Sequence, residues 1–286
     1  MTLDSGLDPD AIRGLIRAAL DEDLRYGPDI TTVATVPADA VVKAAVVARE
    51  PGAVAGIDIG LLVLDEVIGA DAYEITERIS DGSRIAAGDS VLGVLAPARD
   101  LLTAERTMLN LLCHLSGIAT TTAAWVDAVA GTNCRIRDSR KTLPGLRAVQ
   151  KYAVRAGGGV NHRMGLGDAA LIKDNHVVAA GSVVNALHAV RAAAPDIDCE
   201  VEVDNLDQLD AVLAENVQLV LLDNFPLWQT QAAVQRRNAA APETKLESSG
   251  GLTLDMAADY ARTGVDYLAV GALTHSVRAL DLGLDM

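Results

Sequence analysis

The stretch from Arg135 to His176 concentrates the side chains that could bind and transform an anion. It holds nine Lys or Arg residues against three acids, so it carries +6 in a chain whose formal charge is −15. The rest of the chain therefore carries −21. A local basic island in an acidic protein indicates a small polyanionic ligand, whereas a nucleic-acid surface usually makes a whole domain basic.

Arginine suits bidentate recognition of carboxylate or phosphate, and lysine supplies a compact charge, so basic residues after strand-like runs predict an anion site. They are Arg140, Lys141, Arg163 and Lys173. His162, which follows three glycines, fits a ligand contact and a structural role equally well. The three cations Arg147, Lys151 and Arg155 recur every four residues on an amphipathic helical pattern, and we expect them to form surface ion pairs.

From residue 134 onward, strand-like and helical patterns alternate, which predicts a parallel sheet that is closed into a barrel or doubly wound. The carboxyl ends of barrel strands form the active-site face. Charged or glycine-rich residues stand at these ends: Arg137 to Lys141, Lys173 to Asn175, Glu202 with Asp204, Asp223 with Asn224, Glu247 to Gly251, and Gly271. We therefore expect one site built from this set, in which Asp204 is the weaker candidate because a solvated strand end is the commoner role for such a residue.

Two further features of this rim could bind other groups of a ligand, and the cations themselves fit either two carboxylates or several phosphates. Glu202 and Asp223 end adjacent strands and could hold Mg²⁺ or sugar hydroxyls, because magnesium usually takes one or two protein carboxylates and keeps several waters. The glycine-rich turns 247–251 and 271–273 predict a phosphate cup, since converging backbone N–H groups bind phosphate.

The first part of the chain has a different pattern. A helical periodicity covers about 8–26, and four short apolar runs then predict an antiparallel β domain: VVKAAVVARE, GAVAGIDIG, YEITERIS and SVLGVLAPA. A helical stretch over 101–131 connects this part to the alternating region.

Composition narrows the class of protein. The N-terminal sequence lacks the apolar segment of a signal peptide, no apolar run approaches a membrane span, and the three cysteines form no metal or disulfide pattern. Aromatic residues make up 3% of the chain, which leaves few platforms for base stacking. We expect a reduced, cytoplasmic, soluble protein with no nucleic-acid and no membrane partner.

Several segments, in chain order, resemble the quinolinate phosphoribosyltransferases, also called carboxylating nicotinate-nucleotide pyrophosphorylases. They are EDLRYGPDITT, TAERTMLNLLCHLSGIAT, DSRKTLPGLR, GGGVNHRMGL, LIKDNH, VEVDN, LLDN, LESSGG and GVDYLAVGALTHS. The resemblance covers nearly the whole chain. One departure is Ser139, where the family more often has Thr; the hydroxyl is kept.

The resemblance implies the α/β class: an incomplete seven-stranded TIM-like α/β barrel at 117–276 and an N-terminal α+β open-sandwich domain at 1–116. The tail 277–286 would pack back on the N-terminal domain. It also implies a head-to-tail homodimer with shared active sites, in which Arg106 of one subunit completes the site of the other. Whether dimers associate further is left open.

The implied reaction transfers phosphoribosyl from phosphoribosyl pyrophosphate to quinolinate with decarboxylation, giving nicotinate mononucleotide, pyrophosphate and CO₂ for NAD biosynthesis, with Mg²⁺. By this resemblance, quinolinate would be held by Arg106, Ser139, Arg140, His162, Arg163 and Lys173. The catalytic residues would be Lys141, Glu202 and Asp223, the last two also holding magnesium, mainly through water. Phosphoribosyl pyrophosphate would be bound by Lys141, Ser249, Gly250, Gly251, Gly271, Ala272 and Leu273.

The residues themselves leave two other classes open. Lys173 at a strand end could form a Schiff base with a carbonyl substrate, as in an aldolase, if its amine were neutral. A sensor of anionic metabolites would bind its ligand without turnover. The paired carboxylates Glu202 and Asp223 argue against this class. Among phosphoribosyltransferases, the number of cations favours a dicarboxylate acceptor over nicotinate.

Overall fold

A computed structural model describes residues 6–286 of the chain, as eleven α-helices and twelve strands with one short 3₁₀ turn. The helices are α1 (Pro9–Leu24), α2 (Ile30–Thr35), α3 (Ile57–Val67), α4 (Ala98–Ala128), α5 (Arg147–Ala156), α6 (Asp174–Ala180), α7 (Val183–Ala193), α8 (Leu206–Leu213), α9 (Leu227–Ala240), α10 (Ala257–Arg262) and α11 (Ala272–His275). The strands are β1 (Val41–Ala48), β2 (Gly52–Ala53), β3 (Glu74–Arg78), β4 (Arg84–Ile85), β5 (Ser90–Pro97), β6 (Arg135–Arg137), β7 (Ala170–Ile172), β8 (Cys199–Val203), β9 (Leu219–Asp223), β10 (Lys245–Ser249), β11 (Tyr267–Ala269) and β12 (Leu282–Asp285). Among these helices, none combines the length and hydropathy that a membrane span requires.

The chain divides into two compact units. The first contains the residues up to 123 with 143–158 and 276–286, and the second contains 124–142 and 159–275. The sequence-based division after residue 116 falls inside α4, which continues unbroken to Ala128. That division came from the family resemblance, whereas a continuous helix carries the chain from one unit into the next.

A four-stranded antiparallel sheet in the order β12-β1-β5-β3 organises the first unit. In β1, Ala44, Val46 and Ala48 are buried, the alternation of a strand with one covered face. The tail supplies the edge: β12 pairs with β1, and Asp285 at its end accepts hydrogen bonds from Arg49. Residues from the two ends of the sequence thus form one sheet.

One expected strand of the first unit is a helix. In the run GAVAGIDIG only Gly52 and Ala53 are extended, and α3 begins at Ile57. The Asp81 carboxylate accepts hydrogen bonds from the N–H groups of Gly56 and Ile57, which satisfies donors at the start of the helix. Because the segment is apolar on nearly every side, its sequence has no period that separates a buried strand from a buried helix.

The helix α5 also differs from expectation. Lys151 was expected on the surface with Arg147 and Arg155, but its side chain is fully buried. Val149, Ala153 and Val154 are buried with it. Arg155 remains exposed and lies 5.6 Å from the centre of the Tyr152 ring. A spacing of four residues places the three side chains near one another, and it does not determine which face of the helix is covered.

Six parallel strands in the order β6-β11-β10-β9-β8-β7 form the sheet of the second unit. All five residues of β8 and the middle of β9 and β10 are buried, as expected for a parallel sheet covered on both faces. The first strand, β6, lies beside the last, β11, which is the closure of a barrel. The predicted α/β barrel class is thereby confirmed.

The seventh strand of the expected barrel is reduced to one residue. Val160 makes an isolated parallel bridge with Arg137 of β6, through hydrogen bonds to Ile136 and Asp138. Within residues 6–286, no ladder joins Val160 to β7, so the barrel is open there. Three glycines precede Val160, and glycine disfavours an extended strand, which explains the short element.

Replacing each of two helical glycines by alanine should change the stability of the protein in opposite directions. A Cβ at Gly117 in α4 would overlap the carbonyl oxygen of Arg278 in the tail, whereas a Cβ at Gly14 in α1 would meet open space. We expect Gly14→Ala to stabilise the protein by about 0.5–1 kcal/mol, because alanine loses less backbone entropy. We expect Gly117→Ala to destabilise it by about 1–3 kcal/mol through overpacking. Thermal unfolding of both variants measures this; a higher Tm for Gly117→Ala would contradict the packing of the tail.

Candidate functional site

A pocket of about 310 Å³ opens at the carboxyl ends of the parallel strands in the second unit. Strand pairing brings these ends level, since Glu202 of β8 lies opposite Leu221 of β9, and Asp223 lies opposite Ser249 of β10. The side chains that line the pocket are Asp138, Ser139, Arg140, Lys141, His162, Arg163, Leu171, Lys173, Glu202, Leu221, Asp223, Glu247, Ser249, Ala269 and Gly271. Most predicted strand ends therefore do meet in one cavity.

Two arginines of like charge, Arg140 and Arg163, line this pocket. Burial, followed by the charge of Arg140, lowers the pKa of Arg163. The Nε atoms of both guanidinium groups are buried and have no hydrogen-bond partner among the described residues. Like charges held together with unsatisfied donors are stabilised when an anion lies between them.

A salt bridge connects Lys173, which was predicted to bind quinolinate, with Glu202, which was predicted to bind magnesium or sugar hydroxyls. Lys173 Nζ lies 2.6 Å from Glu202 Oε2, and Glu202 is 9% exposed. The contact is an ion pair, whereas a Schiff-base lysine must present a neutral amine. This geometry favours Lys173 as a fixed positive charge in the pocket.

The buried carboxylate of Asp138 organises the segment that follows the Val160 bridge. Its Oδ1 accepts the backbone N–H of His162 at 2.8 Å, and its Oδ2 accepts the side-chain amide of Asn161 at 2.5 Å. Asp138 is completely buried, so these bonds form in a low dielectric. They fix the point at which His162 and Arg163 enter the pocket.

The turn that follows β9 is hydrogen-bonded to the end of β10. Asn224 adopts a left-handed φ of 54°, donates its backbone N–H to Ser249 at 2.9 Å, and donates its side-chain amide to Asp223 at 2.7 Å. Gly250 packs directly against Asn224 with a φ of 95°, and a Cβ there would lie 2.6 Å from Asn224 Cγ. The turn therefore orients the Asp223 carboxylate and shapes the ESSGG loop together.

Lys141 lies against the second glycine turn. A Cβ at Gly271 would meet the Lys141 Cδ atom at 3.0 Å, so glycine allows the close approach of this side chain. The backbone of Lys141 is held on both sides, by Ser139 Oγ at 3.1 Å and by the Thr274 hydroxyl at 2.8 Å. The exposed lysine is thus directed along the mouth of the pocket by a rigid backbone.

Five predicted site residues are outside the lining of this pocket. Gly250 and Gly251 form the turn beyond Ser249, and Ala272 and Leu273 begin α11, where the Leu273 side chain is fully buried. Arg106 belongs to α4 in the first unit; its side chain is 65% exposed and its nearest acid is Glu105, at 3.9 Å.

A buried charged cluster lies below the pocket, and of its four members only Glu200 was absent from the predicted strand ends and site residues. Its members are Arg137, His162, Glu200 and Glu247. Arg137 lies 2.8 Å from Glu247, and His162 lies 2.5 Å from Glu200. Burial is the main cause that raises the pKa of both carboxyl groups. The signal in the sequence is EVEV at 200–203, because alternate residues of a strand point to the same face, and Glu202 already pointed to the barrel interior.

The sequence matches two domain families over almost its full length. The quinolinate phosphoribosyl transferase N-terminal domain matches residues 29–116, and the C-terminal domain matches residues 118–285. The nicotinate-nucleotide pyrophosphorylase [carboxylating] of Mycobacterium leprae is 70% identical over 277 residues, which are 97% of this chain and 98% of that protein. A probable nicotinate-nucleotide pyrophosphorylase [carboxylating] of Bacillus subtilis is 39% identical over 85% of this chain and 83% of its own.

Solved structures agree with the sequence relatives. The crystal structure of NadC from Streptococcus pyogenes superposes with a TM-score of 0.92 at 37% identity, covering 100% of this chain and 98% of that one. The nicotinate-nucleotide pyrophosphorylase from Ehrlichia chaffeensis superposes with a TM-score of 0.90 at 35% identity, covering 98% and 99%. With its two units, its open barrel and its basic pocket, this chain belongs to the quinolinate phosphoribosyltransferase family.

Proposed function

We propose that this chain transfers a phosphoribosyl group from phosphoribosyl pyrophosphate to quinolinate and releases CO₂, giving nicotinate mononucleotide and pyrophosphate. One observation carries the proposal: Arg140 and Arg163, whose buried Nε donors have no partner in residues 6–286, share a pocket with the strand-end carboxylates Glu202 and Asp223. A dicarboxylate needs the cations, and a sugar with a developing positive charge needs the carboxylates. The relatives bear names for this same reaction.

On the acceptor side, Arg140, Arg163 and Lys173 would hold the two quinolinate carboxylates. Guanidinium groups can bind a carboxylate with two parallel hydrogen bonds, so a pair of arginines can fix the plane of the ring. Ser139, on the pocket wall, offers a hydroxyl beside them. The family resemblance adds Arg106 of a partner subunit in a homodimer; its exposure in this chain leaves it accessible to a second copy.

On the donor side, Lys141 and the two glycine turns would bind the phosphates. Ser249 and Gly271 line the pocket, and Lys141 lies directly against Gly271. Gly250 and Gly251 both have left-handed φ values, so the loop makes a tight turn whose backbone N–H groups would be the phosphate donors. In this arrangement the 5-phosphate occupies the cup formed by the ESSGG turn and Gly271 to Leu273.

The residues present fit a magnesium ion. Glu202 and Asp223 offer oxygen donors on adjacent strands; one Glu202 oxygen already bonds Lys173, so the protein supplies few ligands. Magnesium accepts such a site because it keeps several waters and binds substrate phosphates. When bound, it would neutralise charge on the leaving pyrophosphate.

The pocket residues act on charge during the reaction. As pyrophosphate leaves, Glu202 and Asp223 would stabilise the positive charge that develops on the ribose, and Lys141 would stabilise the negative charge on the phosphates. As the ring carboxylate leaves as CO₂, its bonding electrons remain on the pyridine ring carbon, which then takes up a proton. The surrounding cations stabilise this electron density.

The three free cysteines, Cys113, Cys134 and Cys199, suit a reducing cytoplasm, where we place the reaction.

The direct test supplies quinolinate, phosphoribosyl pyrophosphate and Mg²⁺ to the purified protein and measures nicotinate mononucleotide and CO₂, with nicotinate run in parallel. We expect product from quinolinate only, and loss of turnover when EDTA removes Mg²⁺. Binding of quinolinate without turnover would favour a sensor. Turnover of nicotinate would show that nicotinate is the acceptor in place of quinolinate. Trapping of a carbonyl substrate on Lys173 by borohydride would favour an aldolase.

Replacing two glycines with matching backbone angles tests the phosphate cup. Gly250→Ala places a Cβ against Asn224 at a φ of 95°, whereas Gly88→Ala, in the turn before β5, has a φ of 93° and open space around the new Cβ. We expect Gly250→Ala to raise KM for phosphoribosyl pyrophosphate at least about tenfold, because displacement of the loop misplaces its donors. Gly88→Ala should cost about 1–2 kcal/mol of stability and change KM little. Equal KM values for the two variants would place the phosphate elsewhere.

The shared active site is tested by mixing two inactive variants. Arg106→Ala removes the residue proposed to come from the partner, and Lys141→Ala removes one of the pocket's own. In a mixed dimer, one site contains both replacements and the other contains neither, so partial activity should return after the subunits are exchanged. Activity that stays at the level of the separate variants would show that the two residues do not act across an interface.

A further inference from the structure

Two of the proposed substrate-binding cations lie on a loop that has no regular secondary structure. Arg140 and Lys141 follow β6, and α5 begins only at Arg147. Such a loop keeps a defined course only where its backbone N–H and C=O groups find partners outside a helix or a sheet. Near the start of the loop, the carbonyl of Lys141 accepts the Thr274 hydroxyl at 2.8 Å. Beyond Lys141, the course of the loop depends on a second anchor.

A buried amide side chain in α5 supplies that second anchor. The backbone N–H of Leu143 donates to Gln150 Oε1 at 3.0 Å, and Gln150 has 0% of its surface exposed. A fully buried amide costs free energy unless its polar atoms are bonded, so the bonds of Gln150 explain its presence in the core. Only one residue separates Leu143 from Lys141, so a displacement of Leu143 is passed on to the lysine.

A histidine of α4 completes this chain of hydrogen bonds. A backbone N–H is always a donor, so the atom of Gln150 that meets Leu143 is the carbonyl oxygen and not the amide nitrogen. The amide nitrogen points the other way and lies 2.9 Å from Nε2 of His114. Because an amide nitrogen only donates, His114 Nε2 accepts, and the ring proton is on Nδ1. We call these three bonded residues, Leu143, Gln150 and His114, the loop anchor.

The surroundings of His114 keep its ring in the accepting form. Burial lowers the pKa of His114, so the ring is neutral at pH 7.5. A protonated ring would place a donor on Nε2, facing the amide donor of Gln150. If the amide then turned its oxygen to His114, its nitrogen would meet the N–H of Leu143, which is again a donor. The loop anchor therefore requires the neutral ring with its proton on Nδ1.

We propose that Gln150 and His114 are positioning residues for phosphoribosyl transfer: Gln150 holds Leu143, and His114 fixes the orientation of the Gln150 amide. Through Leu143, the loop anchor sets the place from which Arg140 meets the acceptor carboxylate and Lys141 meets the donor phosphates. Both positioning residues act through the backbone of the loop, so neither is a catalytic residue. The proposal rests on the proposed function for the identity of the two ligands, whereas the bonds of the anchor stand without it.

A purely structural role of these bonds makes a different prediction. A buried hydrogen bond that only stabilises the fold changes the unfolding temperature and leaves the folded molecules with their normal affinity for substrate. A bond that positions the loop also changes KM, because small displacements of substrate-binding groups have large effects. The two roles are therefore separated by measurements on the folded protein.

NMR reads the direction of the loop anchor without any substrate. In protein labelled with ¹⁵N-histidine, a two-bond ¹H–¹⁵N correlation at pH 7.5 distinguishes Nδ1–H, Nε2–H and imidazolium rings, and a His114→Gln variant assigns the signal. We expect the Nδ1–H pattern for His114. An Nε2–H ring or an imidazolium would overturn the proposal, whether or not the protein turns over quinolinate.

Amide hydrogen exchange reads the bond to Leu143, again without substrate. We expect exchange at the Leu143 N–H to become about tenfold faster or more in Gln150→Met, whose side chain has a similar volume and no amide. His114→Leu removes the acceptor for the Gln150 amide and should also speed this exchange. His114→Gln offers an oxygen in place of Nε2 and should keep the rate near that of the wild type. Unchanged exchange in Gln150→Met would overturn the role of Gln150.

Kinetics then test positioning itself. We expect Gln150→Met to raise KM about tenfold for both quinolinate and phosphoribosyl pyrophosphate, because the loop carries one cation for each ligand. His114→Leu should raise both KM values, and His114→Gln should restore them, because its oxygen accepts the same bond. If Gln150→Met does not fold, the two His114 variants decide alone. Equal KM values in His114→Leu and His114→Gln would contradict the positioning role.

The matched control removes a buried hydrogen bond at the other end of a barrel strand. Thr244 precedes β10, is 3% exposed, and donates its hydroxyl to the carbonyl of Val217 at 2.7 Å. Thr244→Val keeps a similar shape and loses this bond, so it should lower Tm and leave both KM values and the exchange at Leu143 unchanged. A rise in KM as large as that of Gln150→Met would show that lost stability alone raises KM, and would overturn the proposal.

Discussion

The hydrogen bonds of one buried carboxylate fix the course of the chain after the shortened second strand of the barrel. The second strand position contains only the Val160 bridge, so the following residues lack a ladder that would fix their course. Asp138 replaces that ladder with two hydrogen bonds, to the His162 backbone and the Asn161 side chain. The placement of Arg163, and through it the shape of the anion pocket, depends on this substitute for a strand.

The pocket is basic at its mouth and acidic at its floor, and each layer stabilises the other. Arg140 and Arg163 repel each other at the surface of the site, while Glu200 and Glu202 lie among the cations beneath them. Removing either layer would leave like charges in a low dielectric, where their repulsion is strong. The overall charge of −15 is therefore compatible with strong local attraction for an anion. The electrostatic potential near the pocket is set by the charged side chains around it and not by the net charge of the whole chain.

The rim of the site was predictable from sequence because strand periodicity and strand ends are local signals. Lys173, Glu202 and Asp223 each follow or end a short apolar run, and parallel strands necessarily bring such positions to one edge. The helix at Ile57–Val67 and the burial of Lys151 were not predictable in this way. Both depend on which other elements cover a segment, and that information lies far away in the chain.

The buried charges at the floor of the site also depend on contacts between residues that are distant in the sequence. The sequence placed Glu247 and Arg137 at strand ends of the site, but these two residues are 110 positions apart and their ion pair was not predicted. Only closure of the barrel brings the two charges together. Sequence reasoning therefore found the positions at the strand ends and missed which of their side chains pair with one another across the interior.

The position of β12 has a consequence for how the chain acquires its structure. This strand forms the edge of the first sheet, yet it is synthesised only after the whole of the second unit. During translation, one edge of β1 therefore stays unpaired while more than two hundred further residues are synthesised. Contacts between residues so far apart in the sequence form slowly. An exposed strand edge is a site for association with other chains, so the vulnerable period for this protein lies before β12 has left the ribosome, when the barrel can already be folded.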